Sequence, residues 1–180
     1  MTTLRYRDAT TADVPTIVGL VTRAYRGEAS RAGWTTEADL LDGNRIVPEV
    51  LLADLARPRS RILLAAAADG LLGCAHVAAE GDAGYFGMFA VDPRLQRAGI
   101  GRAILAEAER VVREDWGLAT MRMTVIDLRT ELIAWYERRG YRSTGETRPF
   151  PATDPRFGLP RRDDLRFAVL EKSLMEQPLP

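Results

Sequence analysis

The sequence predicts one α/β domain, and three observations carry that expectation. An apolar run at 84–91 breaks at Asp92-Pro93, passes through QRAGIG and continues with Ile104, Leu105, Ala108, Val111 and Val112 at helical spacing, which reads as strand, glycine loop and helix. Two further apolar runs, 61–68 and 71–79, flank Asp69-Gly70, the signature of an antiparallel hairpin. The chain has 180 residues and a formal net charge of zero, which suits a single domain over 1–180 and gives no charge-based reason to expect a nucleic-acid or membrane partner.

Each element follows from local pattern. Residues 3–9 alternate as a short first strand, and Thr10 to Asp13 offer a cap for a helix whose apolar face is Val14, Ile17, Val18, Val21 and Tyr25. Gly27 stops that helix. The stretch 26–36 reads as a loop, TEADLLD as a short second helix closed by Gly43, and Pro48 as the start of a further helix that ends before Pro58. Beyond the hairpin come the strand at 84–91, a helix stopped by Gly117, a buried strand at 121–126, and a helix at 130–139 stopped by Gly140. Strands at 141–147 and 165–174 complete about seven strands and about four helices. The proline-rich 148–164 between them is long for a connection inside a small domain, as functional loops are.

Composition narrows the chemistry. The single Cys74 forbids an internal disulfide and sits in an apolar run as a structural thiol, and the single His76 leaves no metal cluster to expect. The N-terminus lacks a basic start followed by an apolar stretch, and no window approaches a membrane span, so a cytoplasmic location is expected.

The glycine loop is the strongest chemical signal. Amides left unpaired at a helix start, together with the helix dipole, favour a phosphate or pyrophosphate. Two familiar phosphate motifs do not fit: Gly99-Ile100-Gly101 lacks the third glycine of a dinucleotide fingerprint, and no Gly-Lys-Ser/Thr is present. What remains is QxxGxG at Gln96, Gly99 and Gly101, followed at 131–141 by ELIAWYERRGY, a helix with Tyr136 and then Gly140 and Tyr141. With these two blocks in order and a strand between them, the sequence resembles the GNAT superfamily of N-acetyltransferases, well over 60–147 and loosely at the first strand and helix.

That resemblance implies a mixed sheet splayed between the fourth and fifth strands, with acetyl-CoA as co-substrate in the splay and no metal. It implies that backbone groups of Phe89, Ala90 and Val91 bind the pantetheine arm. The amides of Arg97, Ala98, Gly99, Ile100, Gly101 and Arg102 would hold the pyrophosphate, with Gln96 bracing the loop. Arg97 and Arg102 either add charge to the phosphates or are solvated. Tyr136 takes the family's role of hydrogen-bonding the departing thiolate, the alternative being a core tyrosine. Arg129 stands where the family often has an asparagine that contacts CoA.

The general base is missing from its familiar place, because Tyr85 occupies the strand position where several members carry glutamate. Holding an alkylamine neutral at pH 7 costs roughly 3–5 kcal/mol, so some group or water must take its proton. Candidates are Glu28, His76, Glu80, Asp82 and water ordered by Tyr85. Arg26, Arg31 and Arg129 would meet an anionic acceptor and Trp34 and Trp135 would form an apolar wall, unless the arginines are solvated and the tryptophans belong to the core. The expected function is acetyl transfer to a primary amine of a small molecule, by direct attack in a ternary complex. Two alternatives stand: a non-catalytic acyl-CoA-binding or regulatory module, and a peptide or protein N-acetyltransferase, which a long loop able to close over a peptide groove disfavours. A homodimer through the last strand and the proline-rich loop is compatible with the resemblance.

Overall fold

A computed structural model describes residues 4–68, 70–96 and 99–175. In chain order the elements are β1 (Arg5–Asp8), α1 (Val14–Tyr25), α2 (Gly27–Ser30), β2 (Leu41–Asp42), α3 (Pro48–Ala56), β3 (Ser60–Ala67), β4 (Gly70–Glu80) and β5 (Ala83–Val91). They continue with α4 (Ile100–Arg110), β6 (Thr120–Ile126), α5 (Thr130–Glu137), β7 (Arg142–Pro149), β8 (Leu159–Pro160) and β9 (Arg166–Ser173). Seven strands form one sheet in the order β1-β3-β4-β5-β6-β9-β7, and β2 pairs separately with β8.

The central strands of the sheet are buried on both faces, while the edge strand β7 is exposed, and strand alternation assigns the side chains to the two faces. On one face Ile62, Leu64, Cys74 and Ala90 pack against Ile17, Leu20, Val21 and Ala24 of α1. On the other, Leu63, Ala65, Ala75 and Val77 meet Ile104, Leu105 and Ala108 of α4 and Leu132 of α5. The apolar stripes read from the sequence on α1 and α4 are therefore the surfaces that cover the sheet.

The feature that positions the site is the junction of β5 and β6. These strands run parallel and pair only at Gly84↔Met121 and Tyr85↔Arg122, after which they part. This is the splay that the family resemblance implied between the fourth and fifth strands of the main sheet. Just beyond it β5 bulges: Cys74 pairs with Ala90 but His76 with Gly87, so β5 spends an extra residue there. Met88 takes up the difference at φ 46, a left-handed conformation costly for a side chain with a Cβ and held by burial of that side chain in the α1 cluster.

Two expectations change. Residues 36–42 do not form a helix. A single turn, Leu40 N–H and Leu41 N–H to the Glu37 carbonyl, leads directly into β2, because Leu41 and Asp42 pair with Pro160 and Leu159. The loop 26–36 in turn contains the short helix α2. The proline-rich segment is thereby tied down across the molecule. Its Arg161 N–H donates to the Leu40 carbonyl at 2.9 Å, and its guanidinium bonds Asp42 at 2.9 Å. Among the described residues no helix is long and apolar enough to cross a membrane.

Candidate active site

Two cavities open where β5 leaves β6. The larger, about 470 Å³, is lined by Trp34, Gln96, Gly99, Gly101, Arg102, Trp135, Arg138 and Arg139 among others. The smaller, about 270 Å³, is lined by Glu37, Arg45, Asp54, His76, Tyr85, Arg129 and Tyr136, with Phe150, Pro151 and Phe157 of the proline-rich segment on its wall. Tyr25, Phe89 and Leu132 line both, so the cavities share a wall at the bulge of β5.

The larger cavity is built for an anion. Gly99 caps α4 at φ +81, a conformation that favours glycine, and open space surrounds the place where a Cβ would stand. The free amides of the first turn of α4 therefore face no side chain at that point. Three guanidiniums, of Arg102, Arg138 and Arg139, share this lining. Arg139 lies 3.5 Å over the Trp135 ring and donates to the Trp135 carbonyl at 2.6 Å, while its Nε is buried with no partner among the described residues. Burial, and behind it the charges of Arg138 and Arg102, hold Arg139 below the ordinary arginine range. A cluster of cations with an orphaned buried donor fits a phosphate group.

Gln96 joins this cavity to the loop after α2. Its Oε1 accepts from Trp34 N–H at 2.9 Å and its Nε2 donates to Thr35 Oγ1 at 2.7 Å. Gly33 makes the docking possible, since a Cβ there would stand 2.5 Å from Gln96 Oε1. Gln96→Ala removes both bonds and is expected to lower the unfolding free energy by about 1–3 kcal/mol, read from urea melts. An unchanged midpoint would mean that the two loops hold each other without it.

The smaller cavity centres on a buried carboxylate. Glu37 Oε2 accepts from Arg26 Nη1 at 2.5 Å and Oε1 from Arg129 Nη1 at 2.9 Å, and Arg45 Nε stands 3.5 Å away. Burial alone would raise the Glu37 carboxyl, but the guanidiniums of Arg129, Arg45 and Arg26 outweigh it and hold the group below the usual range. Tyr25, stacked under Arg45 and Arg129, donates its hydroxyl to the Phe89 carbonyl.

His76 is held by a small network. Ser60 Oγ lies 2.7 Å from the Asp54 backbone carbonyl, which can only accept, so the hydroxyl proton goes there. His76 Nε2, 2.8 Å from the same Oγ, must then carry its own proton, leaving Nδ1 as the basic nitrogen, 3.6 Å from the Asp54 carboxylate. Burial, with Arg57 adding to it and Glu80 opposing, pulls the His76 pKa down to about 4, so the ring is neutral at physiological pH. Cys74 is buried and its thiol is pushed up to about 12, which leaves it unreactive.

The sequence candidates divide accordingly. Phe89, Val91, Gln96, Gly99, Gly101 and Arg102 gather on the larger cavity, while Ala90 and Ile100 are buried in the packing on either side of the sheet. Arg97 and Ala98 lie outside the described residues. Trp34 and Trp135, 6.4 Å apart, line the larger cavity and not the smaller. Arg129, expected near CoA, lines the smaller cavity because Glu37 and the Thr35 carbonyl take its guanidinium. Tyr136, His76 and Tyr85 share the smaller cavity, but Glu28 and Arg31 do not join them. Glu28 is 90 % exposed and pairs on the surface with Arg31, which also binds Asp39. Glu80 and Asp82 are exposed at the β4–β5 turn. Arg26 is buried as a partner of Glu37. Glu37, Arg45, Asp54, Ser60 and Tyr25 were not among the candidates, and no spacing in the sequence links them.

Residues 58–143 match the family model described as the acetyltransferase (GNAT) domain. No curated protein matches the chain. Among solved structures, the ribosomal-protein-S18-alanine N-acetyltransferase from Escherichia coli aligns with a TM-score of 0.70 at 18 % identity, over 98 % of this chain and 97 % of that one. The PaiA N-acetyltransferase from Thermoplasma acidophilum, in complex with coenzyme A, aligns with a TM-score of 0.65 at 16 % identity, over 95 % of this chain and 99 % of that one. A spermidine N-acetyltransferase SpeG chimera from Vibrio cholerae and hSSAT gives 0.66 at 12 % identity, over 95 % of each chain. At such identities the likeness is one of fold. The family match runs from the end of α3 into β7 and contains β5, its bulge, the glycine-capped α4 and Tyr136. Residues 58–143 thus carry the match to the acetyltransferase (GNAT) domain, and nearly the whole chain shares the fold of the solved N-acetyltransferases.

Proposed function

We propose that the protein transfers an acetyl group from acetyl-CoA to a primary amine of a small molecule, by direct attack of the amine in a ternary complex. The observation that carries this reading is the pair of cavities meeting at Tyr25, Phe89 and Leu132, one cationic and glycine-lined, the other holding Tyr136, Tyr85 and His76. Acetyl-CoA supplies the activated acyl group. The amides at the start of α4 with Arg102, Arg138 and Arg139 would hold its phosphates, and β5 beyond Met88 would offer backbone groups to the pantetheine arm. The Phe89 carbonyl is already engaged by Tyr25, so that hydrogen bond must be shared or exchanged when the arm binds.

Tyr136 would donate its hydroxyl hydrogen bond to the sulfur that departs. His76 serves as proton acceptor only late. With a pKa near 4 it is about six units too weak to strip an alkylamine of pKa ~10.4, a cost of roughly 9 kcal/mol. The amine therefore enters neutral, and one of its two protons passes to His76 Nδ1 once bond formation has made the nitrogen acidic, with Asp54 beside the new charge.

Relatives of this fold act, by their names, on a ribosomal-protein alanine and on spermidine, so the fold leaves the acceptor open. A cavity of about 270 Å³ walled by Phe150, Pro151 and Phe157 supports a small acceptor over a peptide. The test is a thermal-shift titration with acetyl-CoA, then thiol release against an amine panel across pH. Stabilisation with amine-dependent release that keeps rising past pH 8 is the expected result. Stabilisation without release from any amine or peptide would favour a non-catalytic acyl-CoA-binding module, and no stabilisation would remove the cofactor assignment.

A further inference from the structure

We propose that the acceptor amine also carries a carboxylate, and that Arg45 is the residue that binds it. The inference rests on the transferase reading and names the class of molecule that the smaller cavity takes.

The argument begins with charge. Glu37 is one carboxylate among three guanidiniums, of Arg26, Arg45 and Arg129, and its two oxygens are already spent on Arg26 at 2.5 Å and Arg129 at 2.9 Å. Arg45 is left with a single contact, its Nε 3.5 Å from Glu37 Oε2, longer than a normal hydrogen bond. Its guanidinium donates no hydrogen bond to the described residues, although its side chain is only 26 % exposed and lines the cavity. Asp54, the other carboxylate on this cavity, has a cation of its own in Arg57 at 3.9 Å. A surplus of positive charge in a partly buried site is costly unless an anion completes it.

Geometry then selects the anion. Arg45 is held with its guanidinium carbon 5.3 Å from the centre of the Tyr25 ring, a cation–π contact that steadies the side chain. A planar guanidinium fork with unspent Nη groups matches a carboxylate through two parallel bonds. Tyr25 also reaches the Phe89 carbonyl, at the wall shared with the larger cavity. One small molecule can therefore place its carboxylate on Arg45 and its amine toward Tyr136. A cavity of about 270 Å³ is the liquid volume of roughly nine waters at ~30 Å³ each, the scale of an amino acid.

The experiment measures thiol release with saturating acetyl-CoA and matched acceptors: α-amino acids, their carboxamides and their decarboxylated amines, with aminophosphonates and aminosulfonates beside them. The expected result is kcat/KM at least tenfold higher for the carboxylated member of a matched set, although the carboxamide has the less basic amine. Arg45→Met should raise KM for that acceptor tenfold or more with little change in kcat, and Arg45→Lys should recover part of the loss. Thermal shift with acetyl-CoA checks that each variant is folded, and if one is not, the wild-type comparison alone decides. Equal use of the decarboxylated amines, a preference for phosphonate or sulfonate, or an equal loss on all acceptors in Arg45→Met would overturn the inference while leaving the transferase standing. Stabilisation by acetyl-CoA with no acceptor used at all would remove the transferase reading, and this inference with it.

Discussion

Tyr136→Phe is expected to lower kcat by about 10²–10³-fold while leaving both KM values and the stability of the fold nearly unchanged. The catalytic part follows from placement. Tyr136 lines the smaller cavity, and loss of one donor aimed at developing charge typically costs two to three powers of ten. The environment also decides what kind of donor it is. Burial pushes the phenol well above its ordinary value, so full transfer of its proton to a thiolate near pKa ~8.5 is more uphill here than for a free tyrosine. In the proposed transfer, Tyr136 would therefore act by a hydrogen bond that keeps its proton. The stability part follows from packing. The ring sits edge-on between Trp135 and Tyr141, contacts that phenylalanine keeps, and the hydroxyl makes no hydrogen bond to the described residues. Urea unfolding should move by less than about 0.5 kcal/mol. A fall in activity matched by a fall in stability would instead make Tyr136 a core residue, and full activity in the variant would remove it from the chemistry.

What could be read in the sequence is what is written locally. The seven main strands announced themselves by period and by turn residues, and the glycine loop with its helix by QRAGIG and the apolar stripe that follows. Trp135 and Tyr136 are neighbours on α5 and cannot face the same way, and the structure sends Trp135 to the larger cavity and Tyr136 to the smaller. What escaped was assembled at a distance. Glu37 gains its meaning from Arg26, Arg45 and Arg129, four positions on separate segments that no spacing rule connects. The helix expected over TEADLLD failed for the same reason: Leu41 and Asp42 gain partners from Leu159 and Pro160, and a pairing of two residues is too short to leave a period. The proline-rich segment looked functional by its length alone, and its work as a wall of the smaller cavity appears only once β8 is pinned to β2.

Glu37→Gln carries the largest expected effect on stability, because it removes the one negative charge from a cluster of three buried or half-buried cations. Breaking a buried ion pair from one side costs about 3–5 kcal/mol, since the partners are left desolvated and uncompensated. The sum is sharpened here by Arg26, which is 6 % exposed and whose Nε has no partner among the described residues. The effect has a defined dependence on pH. The Glu37 carboxyl is held below its ordinary value in the folded protein, so its contribution is fully present above the unfolded value of ~4.3 and is lost as pH falls through the folded value. Wild type and Glu37→Gln should therefore differ by several kcal/mol in urea melts at pH 7, and the difference should begin to shrink only as pH falls below the unfolded value of ~4.3. A constant difference at every pH would trace the loss to packing of the side chain rather than to its charge. Convergence would identify Glu37 as the counter-charge that lets three arginines stand beside the smaller cavity.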